Sequence, residues 1–390
     1  MRCLQNRDVP FLSGNQVSAV TFPWTCISLR SQIANILWRQ LWAIDDAAIA
    51  HSAVAHLGME AAKVDGILQC LKQWASSFFP AHRADRSTLL IDEAHRSIPL
   101  TLQMKDTTVG YGSAIALKLG AKCGQATAIA QLIALATTAT HSKEPQAEPI
   151  QNLAHVPDSL SPTGAWLAPS DLNITSPTTG WLTLEVRDWA IARWLSQFSG
   201  LSQLVTKSGD ELPPSCTNES AADRALIWQM QRTLARCETL QRLAMNLPTA
   251  ASHDNEQLGQ KPPYFTKSVD FLPENSLKLS QWLCPEGLLR LSEPCEWAML
   301  ETLIRLVDQC ATVGLGAVPS VTDSKAKALL RSQVAELCER SQAIDATCRI
   351  LSPATSPQQR GRWVQWMVMT QGVLSGLLVS VWHVRPIRNL

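Results

Sequence analysis

Apolar side chains recur at helical spacing along much of the chain, and the polar positions between them mark where each helix begins and ends. Ile33, Ile36, Leu37 and Leu41 fall on one face of a helix predicted over Ile27 to Trp42. Ala47 to Phe79 continues as helix, broken near Gly58 or Gly66. Ser97 to Met104 alternates instead, with Ile98, Leu100, Leu102 and Met104 on one side, which predicts a half-buried strand. Ser113 to Ala136 reads as helix interrupted around Gly120 to Gly124, and residues 140–178 read as a long loop. Gly180 to Val186 is a second strand, and Arg187 to Phe198 a helix that turns Trp189 or Trp194 inward.

The last third is the most regular. Ser220-Ala-Ala-Asp223 has the form of a capping box, and the helix it starts puts Ile227, Met230, Leu234 and Cys237 on one face. Residues 248–276 are a polar, proline-containing insert. Trp297 to Ala311 is the clearest amphipathic helix, through Leu300, Leu303, Ile304, Val307 and Cys310. Gly314 to Thr322 is a loop, and Val334 to Cys348 and Trp363 to Trp382 are the last two helices. The stretch Val364 to Val384 carries no Asp, Glu, Lys or Arg, yet holds Gln365, Thr370, Gln371, Ser375, Ser380 and His383. That polar load favours a helix buried at the centre of a bundle over a membrane span.

The expected fold is therefore mainly α, with an α+β region and small sheet over 23–200 and an all-α bundle over 220–390. An irregular segment, 1–22, precedes these, and a linker, 201–219, joins them. At 390 residues the chain is long enough to bury a sizeable core.

Composition and the amino terminus add further constraints. The eleven cysteines include no CxxC pair, which predicts reduced thiols in a cytoplasmic setting and no metal site. The amino terminus shows no signal-peptide pattern. Net charge is +1 overall, but Lys325 to Leu390 holds nine basic against three acidic side chains, a net of +6. Such a segment either meets phosphates or forms a solvated basic face. Fourteen tryptophans against two tyrosines predict core packing more than base stacking.

Enzyme chemistry finds little support. Leu89-Leu-Ile-Asp-Glu-Ala-His95 is similar to the acidic strand end of DEAH-box helicases, but no GxxxxGK[ST] loop accompanies it to hold a nucleotide. His51 and His56 fall on different helix faces, and no GxSxG elbow occurs. No catalytic residue and no cofactor is expected.

Two stretches resemble arginyl-tRNA synthetases outside their catalytic core. Tyr111, Ala116, Leu119, Ile129 and Ala130 fit the segments that lead two helices of the family's N-terminal appended domain, although Gly110 stands where Asp is usual. Gly180-Trp-Leu182 stands where that domain shows Pro-Gly-Phe-Ile-Asn, which makes residues near 45–95 an insertion. Gln231, Ala235, Arg236 and Arg242 match a helix of the family's DALR-type anticodon-binding domain, with Arg232 and Leu234 replacing its Tyr and His. Leu337 to Leu351, and Arg362, Thr370, Val373-Leu374, Gly376-Leu377 and Pro386, are similar to its closing helices. The His-Ile-Gly-His and Lys-Met-Ser-Lys-Ser strings of the synthetase core do not occur.

The resemblance implies a non-catalytic tRNA-binding protein of the cytoplasm, with arginine tRNA as a candidate partner. Arg232, Arg236, Arg340, Arg349, Arg360, Arg362, Arg385 and Arg388 would contact phosphates, Trp363 and Trp366 would stack on bases, and Tyr111 would serve the N-terminal contact. The alternative is an adaptor that kept the packing, lost the RNA and binds another protein, such as a synthetase.

Overall fold

The computed structural model describes residues 24–43, 58, 60–78, 98–105, 107–121, 125–141, 166–177, 179–208, 220–246, 281–313, 324–348, 352 and 355–386. It is mainly helical, with one small antiparallel sheet. Helices α1 (Trp24–Ile27), α2 (Leu29–Ala43) and α3 (Ala61–Phe78) precede strands β1 (Leu100–Lys105) and β2 (Thr108–Ser113). Helices α4 (Ile115–Gly120) and α5 (Ala126–His141) follow, then β3 (Leu172–Thr175), β4 (Leu182–Val186) and α6 (Asp188–Ser208). The remaining helices are α7 (Ala221–Asn246), α8 (Pro294–Val313), α9 (Ser324–Cys348) and α10 (Pro357–Ser380).

The apolar spacing accounts for the faces that these helices bury. Ile33, Ile36, Leu37 and Leu41 of α2 are buried, as are Met230, Leu234 and Cys237 of α7 and Leu300, Leu303, Ile304, Val307 and Cys310 of α8. The cap at Ser220 forms as expected: its hydroxyl accepts from the Asp223 amide at 3.1 Å and donates to the Asp223 carboxylate at 2.7 Å. Between α4 and α5, Gly120 lies so close to the Ala126 backbone that a Cβ would collide with it, which places the predicted helix break.

Two strands differ from expectation. β2 and β3 fall where a helix lead-in and a loop were predicted, and complete a sheet in the order β1-β2-β4-β3. β2 is buried along five of its six residues, so it shows no alternation. β3 is only four residues long. Helix α9 starts ten residues before Val334; its first turns are mostly polar or exposed and so carry no apolar stripe to mark them. The 89–95 string, His51, His56, the 248–276 insert and the 314–322 loop lie outside the described residues.

Helix α10 is the centre of the carboxy-terminal packing. It contacts α6, α7 and α9, and Trp363, Trp366, Met367, Met369, Val373, Leu374, Leu377 and Leu378 are all buried. Its apolar character on nearly every side follows from being surrounded. Among the described residues no helix is long and apolar enough to cross a membrane.

The two halves of the chain share a core. α6 runs to Ser208, into the segment expected to be a linker, and packs along α10. Trp194 is the inward tryptophan of α6; its indole N–H donates to the Ile27 carbonyl at 2.7 Å, and its ring meets Phe198 edge-on at 4.8 Å. A polar tie adds to this. Asp308 of α8 accepts from the Tyr111 hydroxyl at 2.6 Å, the Ser28 hydroxyl at 2.8 Å and the Arg30 amide at 3.1 Å. Burial pushes the Asp308 carboxyl up, opposed by these donors, and burial and the adjacent Asp308 push the Tyr111 hydroxyl well up.

Candidate nucleic-acid interface

The predicted contact residues separate by burial. Arg362 is buried, and its Nε donates to the fully buried Glu296 at 2.8 Å. Glu296 also accepts from the Ser292 and Glu293 amides at 3.0 and 3.2 Å, which caps the start of α8, and from the Trp366 indole at 3.4 Å. Trp366 packs edge-on against Trp282 at 5.1 Å. Arg360 is buried and donates to the Ser352 and Thr355 carbonyls, both at 3.4 Å, just before α10. Trp363 is buried as well. Arg360, Arg362, Trp363 and Trp366 are thus part of the interior, and the expectation that they face RNA is corrected: a base cannot stack on a ring that the core already covers. Tyr111 is likewise corrected, since it is fully buried with its hydroxyl committed to Asp308.

Three basic side chains of the +6 segment, Lys327, Arg331 and Arg362, meet acids from outside it. Arg331 and Lys327 of α9 meet Asp223 of α7 at 2.7 and 3.6 Å. The Arg331 hydrogen bonds hold the Asp223 carboxyl well below the usual range, against a smaller effect of burial; Ser220 and the Trp382 indole, which donates at 3.2 Å, assist. Arg340 is exposed and pairs along its own helix with Glu336 at 3.4 Å. Arg349 and Arg388 lie outside the described residues.

Arg340 and Arg385 apart, the exposed members of the set lie on α7. Arg224, Trp228, Arg232 and Arg236 follow one another at four-residue spacing, and all four are exposed. Residues so spaced form a ridge along a helix. Trp228 is 64% exposed, and the Arg232 guanidinium lies 5.6 Å from its ring centroid, within cation–π range. Arg236 pairs with Asp345 of α9 at 2.8 Å. The chain after α10 lies against the same helix: Gln231 donates to the Arg385 carbonyl at 2.7 Å, and the Arg385 side chain is exposed.

Beside this ridge a cleft of about 480 Å³ opens between α7, α9 and α10. Arg232, Arg236, Gln342 and Asp345 line its outer part, and Cys237, Leu240 and Met367 its inner part. Burial pushes the Cys237 thiol up to about 12, so it is a packing group and not a nucleophile. Among the described residues no group of three metal-binding side chains occurs.

Comparison with family sequence profiles, curated proteins and solved structures gives no match. The exposed ridge is therefore the site to be explained on its own terms.

Sequence reasoning found Arg232 and Arg236 but passed over Trp228. The signal was present: Trp228 lies off the stripe formed by Met230, Leu234 and Cys237, one turn before an arginine. A large aromatic on the polar side of an amphipathic helix departs from the core packing of Trp24, Trp38, Trp194, Trp282, Trp363, Trp366 and Trp382, which are all buried.

Proposed function

We propose that this protein binds tRNA without catalysing its aminoacylation, and that the α7 ridge is the contact surface. The supporting observation is the exposed Arg224–Trp228–Arg232–Arg236 series, with Arg232 over the Trp228 ring. Arginines neutralise phosphates and stack on unpaired bases, and an exposed indole offers a platform for a base splayed from a loop. The family resemblance supports the same surface, because α7 is the helix in which Gln231, Ala235, Arg236 and Arg242 match an anticodon-binding domain. On this reading the bundle of α7 to α10 is of that type, the anticodon stem and loop are its target, and the protein works in the cytoplasm.

The test is a salt titration of binding to total tRNA, with arginine tRNAs resolved. Binding should weaken as salt rises, with a log–log slope that becomes shallower by about one for each phosphate contact removed. Undetectable binding of every tRNA at low salt overturns the proposal.

One observation favours a protein adaptor as the second reading. Lys327, Arg331, Arg236, Arg340 and Arg362 all have carboxylate partners within the fold. Exposed Leu243, also on α7, and exposed Leu329 on α9 add apolar surface. Direct binding of a purified arginyl-tRNA synthetase, lost on Trp228→Ala and insensitive to ribonuclease, would select this reading.

A further inference from the structure

The start of α8 and the end of α9 bring together two thiols that the RNA reading does not use. The Cys295 and Cys348 sulfurs are 3.5 Å apart, though the residues are 53 positions apart in sequence. Their proximity follows from the packing of α8 against α9. The contact of Thr302 with Glu336 at 3.4 Å sets the two helices antiparallel, so the first turn of α8 meets the last residue of α9. Cys295 is partly exposed, whereas Cys348 is buried. Cys237, Cys310 and Cys338 are buried. A disulfide requires sulfurs about 2.05 Å apart, so the pair must close by about 1.5 Å.

We propose that Cys295 and Cys348 form a reversible disulfide when the protein meets a small-molecule disulfide oxidant of the oxidised-glutathione class. The partly exposed Cys295 thiolate attacks the oxidant, forming a mixed disulfide and releasing one thiol. The Cys348 thiolate then attacks the Cys295 sulfur and expels the second thiol. Two protein thiols are oxidised, one disulfide is reduced to two small thiols, and the two thiol protons are accounted for in those products. The bond pins the end of α9 to the turn where Glu296 holds Arg362. Burial raises both thiols, and the nearby Glu293 and Glu296 add to this.

The test treats the full chain with oxidised glutathione, blocks remaining thiols under denaturing conditions, and maps the peptides by mass. The expected result is a peptide pair joining Cys295 to Cys348, two fewer titratable thiols than the eleven in the reduced chain, and reversal by dithiothreitol. The oxidised protein should also unfold at a temperature a few degrees higher. In Cys348→Ser the mixed disulfide at Cys295 has no resolving thiol, so a glutathione adduct should persist there. A wild-type protein that retains the adduct, links either cysteine elsewhere, or leaves both unreacted while other thiols oxidise overturns the proposal. Because wild-type mapping decides it, the result stands even if the variant folds poorly. It is also independent of whether tRNA binds.

Discussion

Two arginine–tryptophan pairs at the same helical spacing behave in opposite ways. Arg362 and Trp366 of α10 are four residues apart, as are Trp228 and Arg232 of α7. In α10 both side chains point into the core and converge on Glu296, which also caps α8. In α7 both are exposed, and the guanidinium lies over the ring with no carboxylate between them. The same residue types at the same interval thus serve as an internal strut in one helix and a free surface in the other. What separates them is the number of sides from which each helix is covered: α10 packs on α6, α7 and α9, while α7 packs on α9 and α10 and leaves its outer ridge open.

The largest effect should come from breaking the strut. Glu296→Ala strands Arg362, Trp366 and two backbone amides at once, and should cost on the order of 3–5 kcal/mol in denaturant unfolding. A loss below about 1 kcal/mol would mean that water replaces the carboxylate and that the pair is not structurally important.

The tie between the two halves should rank next. Tyr111→Phe removes one donor from the buried Asp308 carboxylate and should cost about 1.5–3 kcal/mol. If thermal unfolding instead showed two separate transitions in the wild type, the shared core would not be the unit that unfolds.

The α7 amino terminus gives a smaller, pH-dependent effect. Ser220→Ala should cost about 1 kcal/mol by loss of the cap. Asp223 titrates lower in the folded state than in the unfolded chain, because Arg331 favours its charged form. Its contribution is complete above the ordinary Asp range and is lost as pH falls below it. Asp223→Asn should therefore narrow the gap to wild type on acidification; a gap that stays constant down to acid denaturation would contradict this.

The smallest stability effect is expected on the ridge. Trp228→Ala and Arg232→Ala should each change stability by no more than about 0.5 kcal/mol, since neither side chain packs into the core.

Periodicity was enough to read α2, α7, α8 and α10, because each has an apolar stripe or an apolar body that the fold then buries. It was not enough for β2, which is covered nearly throughout and so does not alternate, nor for the four residues of β3 within a Pro-, Ser- and Thr-rich stretch. The site was legible only in part. Arg232 and Arg236 stood out through the resemblance of their helix to an anticodon-binding domain. The roles assigned to Arg360, Arg362, Trp363 and Trp366 were not recoverable from spacing, because each depends on partners far away in sequence, such as Glu296 for Arg362. The +6 count overstated the free charge for the same reason: a sum along the chain ignores Asp223 and Glu296, which fold back to pair with Lys327, Arg331 and Arg362.

The most direct test of the account is the low-salt affinity for total tRNA of Trp228→Ala/Arg232→Ala against wild type, with matched unfolding curves. Loss of one base stack and one phosphate contact should weaken binding by about ten- to a hundredfold while leaving the fold intact. Wild-type binding that the double substitution leaves unchanged, or no wild-type binding at all, would contradict the assignment of α7 as the RNA-facing surface.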